Sequence, residues 1–129
     1  MKDDIIVGKV YEMSEQYNVI LKGHLTISRD TNVILFAHYC SSQLFYKHFY
    51  KVSKDVFRVN SLANRNLKVA KSIIKKAGYK KVWTKGVFSI YGDLRPLAEK
   101  ANFGKWGDNG LIYNDIYGND FLISAIFYR

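Results

Sequence analysis

Most of what the sequence says about the fold lies in one stretch, Asp93-Leu94-Arg95-Pro96-Leu97-Ala98-Glu99-Lys100-Ala101-Asn102-Phe103-Gly104-Lys105-Trp106-Gly107-Asp108-Asn109-Gly110-Leu111-Ile112. Asp93 can cap a short helix over residues 94–101. Pro96 is compatible with that helix only because it lies in the first turn. Residues 102–110 then predict a turn-rich loop, which leads into a strand at residues 111–113.

The loop in this stretch holds three glycines, Gly104, Gly107 and Gly110. Glycine adopts positive φ and lets a ligand approach the backbone closely. Trp106 offers a flat face for stacking, and Asn109 offers both a hydrogen-bond donor and an acceptor. The pattern fits a loop that grips a ligand, and it also fits a tight connection whose Trp106 packs into the core. Its spacing matches neither a Walker loop nor the dinucleotide fingerprint.

Helical and strand patterns are mixed along the rest of the chain. Apolar residues at positions 6, 10, 13 and 17 predict a helix over residues 3–17. Residues 18–27 favour a strand broken at Gly23, residues 33–39 a buried strand, and residues 41–58 fit either type. A helix capped at Asn60 or Ser61 carries an apolar stripe as far as Ala77 and ends at Gly78. Residues 79–91 predict a strand and a loop, and residues 120–128 predict a further strand. Because no βαβ rhythm is present, the sequence predicts one α+β domain over residues 1–129.

The quoted stretch resembles the segment of epoxyqueuosine reductases and reductive dehalogenases that ends in Ala-Gly-Leu-Gly-x-x-Gly-Lys-Asn-x-Leu-Ile. Tyr117-Gly118 and the strand at 121–127 are similar to the family's Tyr-Gly step and final strand, and residues 32–39 to its apolar strand ending in Tyr. The likeness is good over residues 60–127. Asp108 stands where the family has Lys, and Asn102 where it has its first Gly.

This resemblance implies a nitroreductase-like fold, a mixed sheet flanked by helices, that binds cobalamin or a related corrinoid beside the loop. The cofactor-binding residues it implies are Gly104, Trp106, Gly107, Asn109 and Gly110. Asp93, three residues before Pro96, stands at the place of the family's proton-donating Asp, and a plain helix cap is the alternative role for it. Analogy of fold also implies a homodimer.

The single cysteine, Cys40, excludes a disulfide within the chain and a cysteine-ligated iron–sulfur cluster. A reductase built on this chain would therefore use cobalamin, or flavin as the alternative, with electrons from a partner ferredoxin. His24, His38 and His48 lack the paired spacing of a metal site, so no metal is predicted. The sequence has no apolar run long enough for a membrane span and no signal-peptide pattern, which favours a cytoplasmic protein without a membrane partner.

Lys and Arg exceed Asp and Glu by nine. That excess favours anionic partners such as nucleic acid, and it also fits a basic surface that only keeps the protein soluble. Lys68, Lys71 and Lys75, with Tyr79 and Trp83 interleaved further along, could hold an RNA backbone with stacking support, or could form a solvated helix face. Three hypotheses follow: a corrinoid-binding module, a cobalamin- or flavin-dependent reductase, and a tRNA-binding remnant of the same group.

Overall fold

A computed structural model describes residues 2–40, 54–86, 94–106, 112–118 and 120–129, with the backbone alone at positions 2, 3, 54–56 and 106. The elements follow the chain in this order: α1 (Lys2–Ser14), a 3-10 turn (Glu15–Tyr17), β1 (Val19–Thr26), β2 (Asn32–Tyr39), α2 (Lys54–Lys76), β3 (Val82–Lys85), α3 (Arg95–Lys100), β4 (Lys105–Trp106), β5 (Ile112–Tyr113) and β6 (Phe121–Tyr128).

The described strands form one four-stranded sheet in the order β1-β2-β6-β3 and one two-stranded sheet of β4 and β5. The α+β class predicted from the sequence is confirmed. The resemblance implied a mixed sheet, whereas every strand pair within the described residues is antiparallel. The short connection between β1 and β2 allows only an antiparallel pair, because parallel strands need a crossover of a dozen or more residues.

Strands β2 and β6 lie in the middle of the four-stranded sheet and are covered on both faces. Val33 to Ala37 are all fully buried. A strand covered on both faces reads as a continuous apolar run rather than an alternating one, which is why residues 33–39 could be identified as a buried strand. That prediction is confirmed, with the strand beginning at Asn32.

Helices α1 and α2 cover the first face of the sheet. The core there comprises Ile6, Val7, Val10, Ile34, Phe36, Leu67, Ala70, Ile74, Ile126 and Tyr128. Helix α2 begins at Lys54, so Asn60 and Ser61 lie inside it and the predicted cap at these residues is wrong. The buried side chains Val59 and Ala63 extend the apolar stripe upstream of both polar residues, and burial of that stripe outweighs their preference for caps. Gly78 ends the helix as predicted, with φ of 105° and its N–H donating to the carbonyl of Lys75 at 3.0 Å.

Helix α3 and the β4–β5 hairpin cover the second face. Their apolar side chains pack on β2 and β6 through Leu94, Ala98, Phe103 and Ile112. Strand β1 is continuous through Gly23, where the sequence predicted a break. A Cβ at Gly23 would lie 2.9 Å from the Cβ of Ala101, so this glycine admits the end of α3 against the strand.

One side chain ties the segment after β5 to the loop that precedes β4. The side chain of Asn114 donates to the carbonyl of Phe103 at 2.8 Å and accepts from the N–H groups of Ile116 and Tyr117 at 2.8 and 3.0 Å. An Asn that bonds the backbone two and three residues ahead is a typical turn former. These three bonds fix the hairpin against the second face of the sheet.

Candidate nucleic-acid interface

Gly104 is the one glycine of the predicted ligand loop that lies within the described residues. It has φ of +155°, and a Cβ there would overlap the carbonyl oxygen of Tyr113 and lie 2.6 Å from its carbonyl carbon. The close pairing of β4 with β5 therefore accounts for this glycine without a ligand. The described part of the loop fits the interpretation as a tight connection, and the corrinoid site stays a prediction.

The other predicted cofactor residues, Gly107, Asn109 and Gly110, lie outside the described residues, and of Trp106 only the backbone is described. Asp93 lies outside them as well. The N-cap position of α3 is taken by Leu94, which offers no capping side chain. The predicted helix cap at Asp93 is therefore wrong, while its role as proton donor and the roles of these loop residues stay predictions.

Positive charge is concentrated in one part of the chain. Residues 56–92 contain nine Lys and Arg and no Asp or Glu, while the rest of the chain has 11 of each sign, so this segment accounts for the whole net charge of +9. A count of charge by segment would have shown this from the sequence. The net charge of the whole chain does not reveal this concentration, because it does not show which segment lacks acidic residues.

Most of the described lysines of this segment point into solvent. Lys68 and Lys75 are exposed on α2 and Lys71 is half-buried there, while Lys76, Lys80 and Lys81 are exposed where α2 turns into β3. A dense run of like charges on a surface attracts polyanions at long range and raises the rate at which they associate. The segment therefore has the electrostatic properties of a nucleic-acid-binding surface.

An exposed aromatic ring lies within this basic segment. Trp83 on edge strand β3 is 36% exposed, and its ring lies parallel to that of Phe127, with 5.5 Å between centroids and 6° between planes. The guanidinium carbon of Arg129 lies 5.7 Å from the centroid of the Trp83 ring, and the Lys85 ammonium lies 5.4 Å from that of Phe127. Lys81 joins them, because its backbone and that of Arg129 exchange hydrogen bonds of 3.2 and 3.0 Å. We name Lys81, Trp83, Lys85, Phe127 and Arg129 the Trp83 platform.

The structure separates residues that the sequence had grouped in one cluster. Tyr79 packs edge-on against Tyr128 at 4.8 Å, on the first face of the sheet. Lys68, Lys71 and Lys75 lie on α2, which covers that same face. Trp83 stacks on Phe127, which belongs to the core of the second face. The basic segment thus wraps round edge strand β3, and the Trp83 platform combines positive charge with an accessible ring on that strand.

Two of the three histidines lie in the described residues. His24 is half-buried, with Nε2 3.3 Å from the hydroxyl of Tyr128, and His38 is fully buried. Cys40 is buried too. Across the described part of the chain, no three His, Cys, Asp or Glu side chains come together to hold a metal ion, and no helix is long and apolar enough to cross a membrane.

The fold of this chain is similar to that of solved structures. No protein-family model matches the chain, and neither does any curated protein. Among solved structures, a selenomethionine-labelled epoxyqueuosine reductase superimposes with a TM-score of 0.70 at 11% identity, and an epoxyqueuosine reductase with a tRNA-Tyr epoxyqueuosine-modified tRNA stem loop superimposes at 0.69 and 11%. The enzyme from Bacillus subtilis, with its catalytic loop swung out of the active site, superimposes at 0.66 and 12%.

Each of these likenesses covers 99% of this chain and 46% of the other, so the chain spans just under half the length of these structures. The resemblance to the epoxyqueuosine reductase group is thereby confirmed at the level of the fold. Identities of 11–12% do not extend it to cofactor, substrate or iron–sulfur content.

Proposed function

We propose that this chain binds structured RNA of the tRNA stem-loop type through the Trp83 platform and the basic surface beside it. The observation that carries the proposal is the exposed ring of Trp83. Trp83 belongs to the segment at residues 56–92 that accounts for the net positive charge, and the guanidinium carbon of Arg129 lies 5.7 Å from the centroid of its ring. A solved structure of the same fold contains a tRNA stem loop, which supports the same class of ligand here.

Lysines and aromatic residues contribute differently to such a complex. Lysine ammonium groups neutralise phosphates and release counterions, so they supply affinity that depends on salt and not on base sequence. An aromatic ring stacks on an unpaired base and contributes about 1–3 kcal/mol by alanine substitution. A stem loop offers phosphates along its duplex and splayed bases in its loop, and single-stranded loops are where proteins mostly read RNA.

The electrostatic part is tested by charge reversal and salt titration. We expect a labelled tRNA stem loop to bind with an affinity that falls linearly with salt on logarithmic axes, measured by fluorescence anisotropy. Lys81→Glu should weaken binding and reduce the magnitude of this slope by about 1. Lys9→Glu and Lys100→Glu, exposed positions outside the segment, make the same change in net charge and should leave most of the affinity intact.

The stacking part is tested at Trp83. Trp83→Leu keeps an apolar side chain against Phe127 and should weaken stem-loop binding about tenfold, while binding of a blunt duplex of equal length changes little. Tyr113→Leu removes a ring that is 59% exposed elsewhere and serves as the control. In a Trp106→Phe background Trp83 is the only tryptophan, so its fluorescence should be quenched as the stem loop binds. Equal binding by the Trp83, Lys81 and control variants would refute the proposal.

A corrinoid-binding module is the second candidate function, and the shared fold together with the loop resemblance supports it. The site would use Gly104, Trp106, Gly107, Asn109 and Gly110, with flavin as the alternative ligand. A reductase of this type would draw its electrons from a partner ferredoxin. We rank it second, because the β4–β5 pairing already accounts for Gly104.

A further inference from the structure

A cavity of about 160 Å³ lies between the first turns of α2 and the ends of β1 and β2. Ile20, Val59 and Leu62 form its apolar walls, and the buried ring of His38 forms its polar wall. Asn18, Tyr39 and Arg58 are exposed and lie at its rim. An engineered cavity of about 150 Å³ holds benzene, so a space of this size takes one six-membered ring.

The polar wall of this cavity, His38, is not satisfied by the described residues, and two further buried polar side chains of the domain are unsatisfied as well. His38 is 1% exposed, and neither of its ring nitrogens has a hydrogen-bond partner there. The amide of Asn66 and the hydroxyl of Ser124, both fully buried, lack partners in the same way. Ser124 lies two residue pairs away from His38 along the first face, because Ser124 pairs with Phe36 and Leu122 pairs with His38. Buried polar atoms are nearly always paired, so a group of five without partners needs a physical explanation.

The His38 ring is uncharged near neutral pH. Burial lowers its pKa from 6.5 to about 4, and the backbone of Tyr17 opposes that shift only in part. A neutral imidazole has one nitrogen that donates and one that accepts. A ligand at this wall therefore meets a neutral group that can bond either a donor or an acceptor, and no ionic partner is required.

We propose that this cavity binds a small, uncharged heteroaromatic molecule of one ring, such as a pyrimidine, hydrogen-bonded to His38. The apolar walls suit the faces of a flat ring, and His38 suits its polar edge. An apolar ring would leave the imidazole unpaired, and a charged ring would lose its hydration against the three apolar side chains. This site is separate from the Trp83 platform, because His38 pairs with the beginning of β6 and the platform is built on its end.

The test is a titration of the ¹⁵N-labelled protein with uracil, followed at the ring nitrogens of His38 by NMR. We expect a saturable shift of these resonances, with the resonances of His24, whose half-buried ring contacts Tyr128, as the internal control. Benzene, of similar size but without polar atoms, should bind at least tenfold more weakly. Leu62→Phe fills the cavity and keeps His38 as the reporter, so it should weaken uracil binding at least tenfold.

A second variant guards against misfolding of the first. His38→Leu removes both nitrogens with a side chain of similar volume, and its uracil affinity, measured by calorimetry, should also fall at least tenfold while the far-UV circular dichroism is unchanged. No saturable shift with uracil would mean that the cavity holds only water and would overturn the proposal. Equal affinity for uracil and benzene, or full uracil affinity in both variants, would overturn it as well.

Discussion

Replacement of Gly104 by alanine tests whether this loop glycine is needed by the fold. The added methyl group would meet the backbone of the neighbouring strand, overlapping the carbonyl oxygen of Tyr113 and lying 2.6 Å from its carbonyl carbon. Backbone atoms held in a strand pair cannot rotate away as the end of a flexible side chain can. The backbone must also keep φ near +155°, where side chains other than hydrogen are strained.

The two effects set the expected loss of stability. Overpacking costs about 1–3 kcal/mol and a backbone conformation of this kind of order 1–3 kcal/mol. Part of each relaxes if the hairpin shifts, so we expect Gly104→Ala to lose about 2–5 kcal/mol. Domains of this size are stable by only about 5–15 kcal/mol in total, so the variant should unfold at a much lower denaturant concentration.

The assay is equilibrium unfolding in urea followed by circular dichroism. With a slope of about 2 kcal/mol per M, the midpoint should fall by about 1–2.5 M. Gly8→Ala is the matched control, because Gly8 lies in α1 with open space around it and should gain about 0.5–1 kcal/mol from the same substitution. A loss below about 1 kcal/mol at Gly104, beside the expected gain at Gly8, would refute the packing explanation and return Gly104 to a role in ligand binding.

Three further outcomes are expected. Burial lowers the pKa of His38 to about 4, so the contribution of the neutral ring to stability is present above pH 6.5 and is lost as the pH falls toward 4. In that window the wild type should lose about 2–3 kcal/mol of unfolding free energy. His38→Leu should flatten the dependence of the urea midpoint on pH over the same window. Asn114→Ala removes three hydrogen bonds and should cost about 2–3 kcal/mol in the same urea assay, whereas a cost near zero would show that water replaces them. Titration with cob(II)alamin, followed by visible absorbance with flavin mononucleotide as comparison, should show saturable binding that Trp106→Ala or Gly107→Val abolishes if the second candidate function is right, and no binding if only the fold is shared.

The regular elements were predictable from the sequence because each carries a pattern of its own. The apolar spacing from Ile6 to Tyr17 predicted a helix over residues 3–17, and the structure has α1 followed by the 3-10 turn. The start of α2 was misplaced, because Asn60 and Ser61 match a cap locally. The helix instead begins further upstream, because Val59 and Ala63 are buried in the fold. That burial depends on residues distant in sequence and so has no local sequence signal.

The candidate sites were harder to predict, because they depend on which strands are neighbours. Trp83 was grouped with the lysines of α2 by proximity in sequence. Its real partners, Phe127 and Arg129, are more than forty residues away and become neighbours only through the β3–β6 register. The His38 cavity carries no sequence pattern at all, since its walls come from three separate elements. Pairing of distant strands is not encoded in local periodicity.

The central position of β6 also sets the order in which the chain can assemble. In the sheet order β1-β2-β6-β3, strands β2 and β3 touch only through β6, which follows every other described element along the chain. While the ribosome is still making residues 40–120, one side of β2 has no partner strand and its apolar run from Val33 to Ala37 stays open to solvent or to chaperones. Such long-range pairing is slow and leaves the nascent chain open to aggregation. Synthesis of β6 is therefore the step that allows the whole sheet to form at once.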